Sequence, residues 1–137
     1  MNEKNQPNKL IQVLIKHTDD TYLIINNQSE SNNQIFDSLL TFSVSNAKLE
    51  EQVILDTQSK LGIELKSIKF FKKRVKNPNV YYCYQGITDL SKEAFQQLKK
   101  DLVVDWLTKR ELIKRLHLDS NVFPGVKRIL VEQILKN

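Results

Sequence analysis

Residues 45–63 read SNAKLEEQVILDTQSKLGI, and this stretch contains the best-defined helix of the sequence. It predicts a helix from residue 45 to residue 61, because its apolar side chains recur on one flank at about 100° per residue. Those side chains are Leu49, Val53, Ile54 and Leu61. Ser45 or Asn46 can cap the helix with a short polar side chain. Gly62 ends it, because glycine adopts the left-handed conformation of a helix C-cap at no steric cost.

A second stretch, residues 104–112 with the sequence VDWLTKREL, predicts a strand that leads into a capped helix. The strand is expected from Leu102 to Leu107 and carries Trp106. Thr108 and Glu111 have the spacing of a capping box, in which each side chain accepts a hydrogen bond from the other residue's backbone N–H.

The remaining elements surround these two stretches. Further strands are predicted at residues 10–16, 21–25, 39–44, 63–75 and 80–88, and further helices at 91–100, 109–116 and from 124 onwards. Ser91 is expected to cap the first of these helices, and residues 26–34 form a polar loop. The order ββ(β)–α–ββ–(α)–β–α–α predicts an α+β fold, an α/β/α sandwich around a mixed sheet. Residues 1–8 are predicted to be a flexible tail and residues 9–137 a single domain.

Composition narrows the class of protein. The net charge of +5 and the pI of about 9.3 favour acidic partners such as nucleic acid or nucleotides, or reflect a lysine-rich surface alone. The single cysteine, Cys83, lies in an apolar run and is predicted to be a buried structural thiol. No apolar run approaches the ~20 residues of a membrane span, so we expect no membrane association. Residues 1–9 lack the pattern of a leader, which predicts a cytoplasmic protein; the mitochondrial matrix is the alternative if a presequence has been removed.

The element order and the two quoted stretches resemble the Nudix fold. The resemblance covers residues 10–135. The helix with Leu61-Gly62-Ile63 takes the place of the second half of the Nudix box, which in the family runs Arg-Glu-apolar-x-Glu-Glu-x-Gly-apolar. Residues 104–112 are similar to the late Nudix segment in which a strand with a Trp leads into a capped helix. The Nudix-like protein of the mitochondrial large ribosomal subunit is similar around the same segment. The resemblance implies a Nudix-like mixed sheet flanked by helices.

Aligned on Gly62, the box has lost most of its charged residues. The family's Arg-Glu pair falls on Leu55 and Asp56, and its Glu-Glu pair falls on Ser59 and Lys60. Nudix enzymes, which the chain resembles, are expected to cleave a diphosphate with Mg²⁺. This ion needs hard oxygen ligands. Of the three carboxylates that would hold the metal, only Asp56 remains.

The other two box positions oppose a magnesium site. Ser59 is a poor neutral ligand, and Lys60 is a cation with no lone pair to offer. Its charge at ~4–6 Å from a magnesium ion is repulsive by kcal/mol in a partly dry site. Asp56 is then either a residual metal ligand or a solvated carboxylate paired with Lys60 at i+4. Three acidic residues off the box positions could supply a rearranged site: Glu50, Glu51 and Glu64.

The most distinctive charge feature is a basic segment interleaved with aromatic residues. Its basic residues are Lys66, Lys69, Lys72, Lys73, Arg74 and Lys76. Phe70 and Phe71 lie among them, and three tyrosines follow a predicted turn. Strand alternation puts Lys72 and Arg74 on one face and Lys73 on the other.

Two interpretations of this segment stay open. A cationic hairpin beside aromatic rings can track a phosphate backbone and stack bases. Alternatively, it is a sheet edge that lysines guard against aggregation, with its aromatic rings in the core. On the first interpretation, the candidate nucleic-acid-binding or phosphate-binding residues are Lys69, Lys72, Lys73, Arg74 and Lys76.

Residue types exclude several other chemistries. The two histidines, His17 and His117, form no zinc-binding motif. The three glycines of the chain are too few and too far apart for a phosphate-binding loop or a dinucleotide fingerprint.

The sequence therefore predicts a catalytically degenerate Nudix-fold protein that acts as a binding or structural module and uses no cofactor. Its expected partner is a nucleotide, RNA, or a protein or ribonucleoprotein assembly. The alternative is a divergent Nudix hydrolase that cleaves a nucleoside diphosphate linked to another moiety with Mg²⁺, using Asp56 together with Glu50, Asp101 or Asp105. A third hypothesis is a plain interaction domain without a ligand. No oligomeric state is predicted.

Overall fold

The computed structural model describes residues 8–28, 35–45 and 47–118, and these contain seven strands and three helices. The strands are β1 (Asn8–His17), β2 (Thr21–Gln28), β3 (Ile35–Ser38), β4 (Leu40–Ser43), β5 (Ser67–Lys76), β6 (Asn79–Thr88) and β7 (Val104–Thr108). The helices are α1 (Leu49–Leu61), α2 (Lys92–Leu98) and α3 (Lys109–Leu118). The predicted α+β class is confirmed. Asn8, assigned to the tail, begins β1; the rest of the tail and the predicted helix from residue 124 lie outside the described residues.

The strands form one mixed sheet with β1 in its centre. β6 pairs with β1 in parallel along the whole strand, and β5 pairs antiparallel with β6 at the edge. β1 and β2 meet at the pair Lys16↔Tyr22 and then diverge. β4 pairs with β1 and β3 pairs with β2, so residues 35–43 fill the gap between the two strands. β7 pairs with the other side of β2.

Alternating residues of the central strands build two cores on opposite faces of the sheet. One face, here called the α1 face, packs Ile11, Val13 and Ile15 of β1 in one cluster with Val53 and Leu61 of α1. The other face, called the α3 face, packs buried side chains of the sheet against α3: Leu14, Tyr22, Ile24, Cys83 and Leu107 around Leu112. The predicted arrangement of a sheet between helices is therefore confirmed within the described residues.

Helix α1 starts later than predicted. Its N-cap is Lys48, which makes no side-chain capping bond. Ser45 does not cap the helix, because it lies three residues before this N-cap; its backbone N–H donates to Oε1 of Gln52 at 2.9 Å. Asn46 lies outside the described residues. The predicted end is confirmed: Gly62 has φ 69°, and its N–H donates to the carbonyl oxygen of Gln58.

The buried flank of α1 also differs from the prediction. It consists of Gln52, Val53, Thr57 and Leu61. Ile54, expected on this flank, is 40% exposed. Val53, Thr57 and Leu61 form one i, i+4, i+8 row, and Ile54 lies about 100° away from Val53 around the axis.

Three local predictions can be compared directly. The capping box is confirmed, with 2.8 Å from Thr108 N to Glu111 Oε1 and 3.2 Å from Glu111 N to Thr108 Oγ1. Ser91 caps α2 by accepting from Ala94 N. The predicted end of β2 at residue 25 is wrong, because pairing with β3 extends the strand to Gln28. None of the described helices has the length and apolar run to cross a membrane.

Candidate functional site

The three box positions predicted from the sequence lie in the C-terminal half of α1. Asp56 is half-buried, whereas Ser59 and Lys60 are exposed. The partner that the structure gives to Asp56 is not Lys60 but Gln52, one turn earlier. The amide nitrogen Nε2 of Gln52 donates to Oδ2 of Asp56 at 2.9 Å.

Gln52 ties α1 to the end of β4. The residue is 3% exposed. Besides Asp56, its Nε2 donates to the backbone oxygen of Ser43 at 2.7 Å, and its Oε1 accepts from the backbone N–H of Ser45. Because an amide nitrogen carries two hydrogens, both donors are used, and they bridge a carboxylate and a carbonyl oxygen.

These side chains do not fit a magnesium ion. Magnesium demands several hard oxygen ligands in near-octahedral geometry. Asp56 supplies the one carboxylate of the three box positions, and its Oδ2 accepts from Nε2 of Gln52. Ser59 offers a neutral hydroxyl, and Lys60 offers a positive charge and no lone pair. Within the described part of the chain, no three His, Cys, Asp or Glu side chains cluster closely enough to hold a metal.

An open cleft of about 750 Å³ lies between the first turn of α1 and the β5–β6 hairpin. Its lining residues are Lys48, Leu49, Glu50, Glu51, Phe70, Tyr82 and Tyr84. Phe70 and Tyr84 form an edge-to-face pair with 5.3 Å between ring centroids, and the ammonium group of Lys73 lies 5.9 Å from the ring centre of Tyr82. Phe70 is 44% exposed. The cleft thus presents an aromatic wall beside a positive charge.

Acidic residues line the helix side of this cleft. Glu50 and Glu51 belong to the first turn of α1, where negative charge stabilises the helix dipole. Burial, followed by the charge of Glu50, raises the pKa of the Tyr84 hydroxyl, which therefore stays protonated at neutral pH. Glu64, the third acidic residue considered for a rearranged metal site, does not line the cleft.

The β5–β6 hairpin contains the excess of positive over negative charge in the protein. Residues 67–88 contain five basic and no acidic side chains, and the five are the predicted residues Lys69, Lys72, Lys73, Arg74 and Lys76. The whole chain has 21 Lys and Arg residues and 16 Asp and Glu residues. Outside the hairpin it therefore has 16 basic and 16 acidic residues. The net charge of +5 is therefore that of the hairpin alone.

A β-bulge divides these five residues between the two faces of the sheet. Phe70 pairs with Tyr84 and Lys72 with Cys83, so Phe71 is the extra residue. Lys73 pairs with Tyr82 and lies on the α1 face, next to the cleft. The other four basic residues lie on the α3 face. Lys69 pairs with Gln85, Lys72 with Cys83, Arg74 with Tyr81, and Lys76 with Asn79. The predicted separation of Lys73 from Lys72 and Arg74 is confirmed.

Burial divides the basic residues further. Lys72 and Arg74 are half-buried, and the Nε atom of Arg74 is buried without a hydrogen-bond partner. Lys69, Lys73 and Lys76 are exposed. The predicted basic set is therefore not one continuous surface, and Lys73 is the member that stands over the aromatic wall.

Neither Gln52 nor the cleft was predicted from the sequence. A glutamine on a helix belongs to no motif, and its partners Ser43 and Ser45 are defined only once β4 and α1 have packed. Alternation places Tyr82 and Tyr84 on one face of β6, but Phe70 joins them only through the pairing of β5 with β6.

Comparison with solved structures gives the same fold for three proteins of low sequence identity. A MutT protein from a study of Aliivibrio salmonicida and Vibrio cholerae has 12% identity and a TM-score of 0.67, over 96% of this chain and 98% of that one. A hydrolase of the Nudix family from Clostridium perfringens has 12% identity and a TM-score of 0.61, over 96% and 97%. A Deinococcus radiodurans protein has 14% identity and a TM-score of 0.62, over 92% and 82%. No family model and no curated protein matches the chain.

The chain has the Nudix fold. This confirms the fold predicted from Gly62 and the Trp106 segment. In this Nudix-fold chain, the helix that ends at Gly62 carries a Gln52–Asp56 hydrogen bond, an exposed serine and an exposed lysine at the predicted box positions.

Proposed function

We propose that this protein is a non-catalytic Nudix-fold module that binds single-stranded nucleic acid. One base stacks in the aromatic cleft, and backbone phosphates contact Lys73, beside the cleft, and Lys76, the last residue of β5. The observation that carries the proposal is that one hairpin supplies both the aromatic wall of the cleft and the whole net positive charge of the chain. Aromatic rings beside a cationic strand are the usual means by which proteins bind single strands without sequence preference.

The box positions support the non-catalytic part of the proposal. A hydrolase that cleaves a diphosphate with magnesium needs several oxygen ligands around the ion, chiefly carboxylates. Here the carboxylate of Asp56 accepts from the Gln52 amide, and the neighbouring positions hold Ser59 and Lys60. Binding, in contrast, needs none of these ligands and no cofactor.

Fluorescence anisotropy with labelled single-stranded oligonucleotides tests the aromatic wall. Phe70→Ala should weaken binding roughly 5- to 100-fold, because a stacked base contributes ~1–3 kcal/mol. Leu98→Ala is the matched control, since it removes an exposed apolar side chain of α2 outside the cleft. Equal affinities of the two variants would sink the stacking role of the cleft.

The same assay tests the charge. The double variant Lys73→Gln/Lys76→Gln should reduce the dependence of log K on log salt by ~0.7 for each lost phosphate contact. Lys60→Gln/Lys114→Gln removes two exposed lysines outside the hairpin and should leave the slope unchanged. If both double variants behave alike, the hairpin does not bind the backbone. Tight binding of mononucleotides with no gain for the oligonucleotide would place a nucleotide, and not a strand, in the cleft.

One observation favours a second candidate, a divergent Nudix hydrolase. Glu50 and Glu51 lie in the wall of the cleft, where they could face a metal-bound diphosphate. Asp105 is less suited, because it accepts from Asn26 and forms an ion pair with Arg115. This candidate requires magnesium-dependent release of nucleoside monophosphate from nucleoside diphosphate conjugates, lost in Glu50→Gln/Glu51→Gln.

A further inference from the structure

We infer that the α3 face carries a second site, a pocket for a small phosphate ester with a planar ring. The pocket has a volume of about 460 Å³ and lies on the opposite side of the sheet from the aromatic cleft. Three lysines line it together with two aromatic side chains and one amide: Lys16, Lys69, Lys109, Tyr22, Phe71 and Gln85.

Three separate elements bring the lysines together. Lys16 lies near the end of β1, where it pairs with Tyr22 of β2. Lys69 precedes the bulge of β5 and pairs with Gln85 of β6. Lys109 is the first residue of α3. The bulge contributes directly, because it turns Phe71 towards the same face as Lys69 and makes it part of the pocket wall.

The charges of this pocket are not balanced within the described residues. The one acidic residue in its lining is Asp20, whose carboxylate lies 3.5 Å from the ammonium group of Lys16. The Asp20 side chain is 85% exposed, so solvent screens that pair. Lys69 and Lys109 form no ion pair with any described residue. The three lysines and the one carboxylate of the lining give the pocket a net charge of +2. A dianion would balance this charge, and a phosphate monoester carries about −1.5 to −2 at neutral pH.

The volume and the aromatic lining of the pocket indicate what is attached to the phosphate. A volume of about 460 Å³ is within the range of small-molecule sites and exceeds the need of a phosphate ion. Phe71 is half-buried and offers aromatic surface. Tyr22 also lines the pocket, although it is only 6% exposed, and the ammonium group of Lys16 lies 5.9 Å from its ring centre. The amide of Gln85 can both donate and accept. A phosphate that binds the lysines can therefore hold an attached ring against the aromatic side of the pocket.

Phenyl phosphate is the simplest probe, because it combines a phosphate group with a planar ring and carries no nucleobase. We would titrate the isotope-labelled full chain with phenyl phosphate and with inorganic phosphate at constant ionic strength, and follow backbone amides by two-dimensional NMR. Saturable shifts are expected around Lys16, Lys69 and Lys109, with phenyl phosphate bound more tightly than inorganic phosphate. Lys69→Gln/Lys109→Gln should weaken phenyl phosphate binding at least tenfold, and Lys60→Gln/Lys114→Gln should not change it.

The outcomes separate this site from the nucleic-acid cleft and from unspecific charge binding. Phe70→Ala should leave phenyl phosphate binding unchanged, because the cleft is on the other face. Shifts that do not saturate, or that spread equally over all exposed lysines, would overturn the inference, as would equal affinity of the two double variants. A single-stranded oligonucleotide should not displace phenyl phosphate; displacement would assign the lysines to backbone phosphates and contradict a small-molecule site.

Discussion

At the scale of single residues, Gln52 is the partner of Asp56, the one carboxylate at the predicted box positions. Its buried amide group joins Asp56, the carbonyl oxygen of Ser43 and the N–H of Ser45 in one partly buried network. In such a network, removing the central partner breaks several hydrogen bonds at once.

We therefore expect Gln52→Ala to lower the free energy of unfolding by about 2–4 kcal/mol, since it removes three partly buried hydrogen bonds that contribute ~0.5–1.5 kcal/mol each. Gln58→Ala is the matched control, because Gln58 is an exposed glutamine of the same helix. That substitution should cost less than ~0.5 kcal/mol. Urea denaturation of both variants measures the difference; equal losses would show that the Gln52 network does not stabilise the fold.

Cys83 is a second residue with a definite chemical state. It is fully buried in the α3-face core, and burial raises the pKa of its thiol to about 11. The thiol is therefore protonated and inaccessible in the folded protein. A disulfide reagent at pH 8 should modify it only at the rate of unfolding, and at once in denaturant. Rapid modification of the folded chain would contradict the structural role.

At the scale of elements, an ion pair between Asp19 and Lys92 connects the β1–β2 turn with α2. The carboxylate of Asp19 binds the ammonium group of Lys92 at 2.5 Å, and Lys92 also donates to Thr21 Oγ1. Lys92 lies 5.0 Å from the ring centre of Trp106. Hydrogen bonds from Lys92, and then from Thr21, hold the pKa of Asp19 well below its ordinary value of 3.8.

This contact predicts a pH dependence of stability. A carboxylate whose pKa is lowered on folding contributes stability that is present above pH 3.8 and is lost as the pH falls through the lower, folded-state value. The melting temperature should therefore fall below about pH 4, and by less in Asp19→Asn. The effect is modest, because the Asp19 side chain is 47% exposed. Parallel thermal melts of wild type and Asp19→Asn from pH 7 to pH 2 measure it; identical curves would exclude the contact as a source of acid sensitivity.

The elements also show how far the sequence determines the site. Alternation in the basic segment predicted the faces of Lys72, Lys73 and Arg74 correctly, because register within a strand is local. It could not predict that Lys72 and Arg74 are half-buried, since their burial depends on residues far away in the chain. The capping of α1 was mispredicted because the helix begins at Leu49, and the residues before it connect β4 to the helix, where Ser45 bonds to Gln52.

At the scale of the whole molecule, the Nudix fold was predictable from element order, Gly62 and the Trp106 segment. Hydrophobic period, a glycine stop and a capping box are all properties of short stretches, and the structure contains each of them. The divergence of β1 and β2, with β3 and β4 between them, has no short-range signal, because it depends on pairing between distant residues. The cleft and the lysine pocket are likewise formed by residues from three or more elements each.

We propose that a Nudix-fold chain with Asp56, Ser59 and Lys60 at its box positions binds nucleic acid and does not cleave nucleoside diphosphates. The most direct measurement is the release of phosphate or nucleoside monophosphate from a panel of nucleoside diphosphate conjugates, with and without magnesium. The prediction is that wild-type protein with magnesium releases no more product than the magnesium-free control or the Asp56→Ala variant. Magnesium-dependent release that disappears in Asp56→Ala would contradict it.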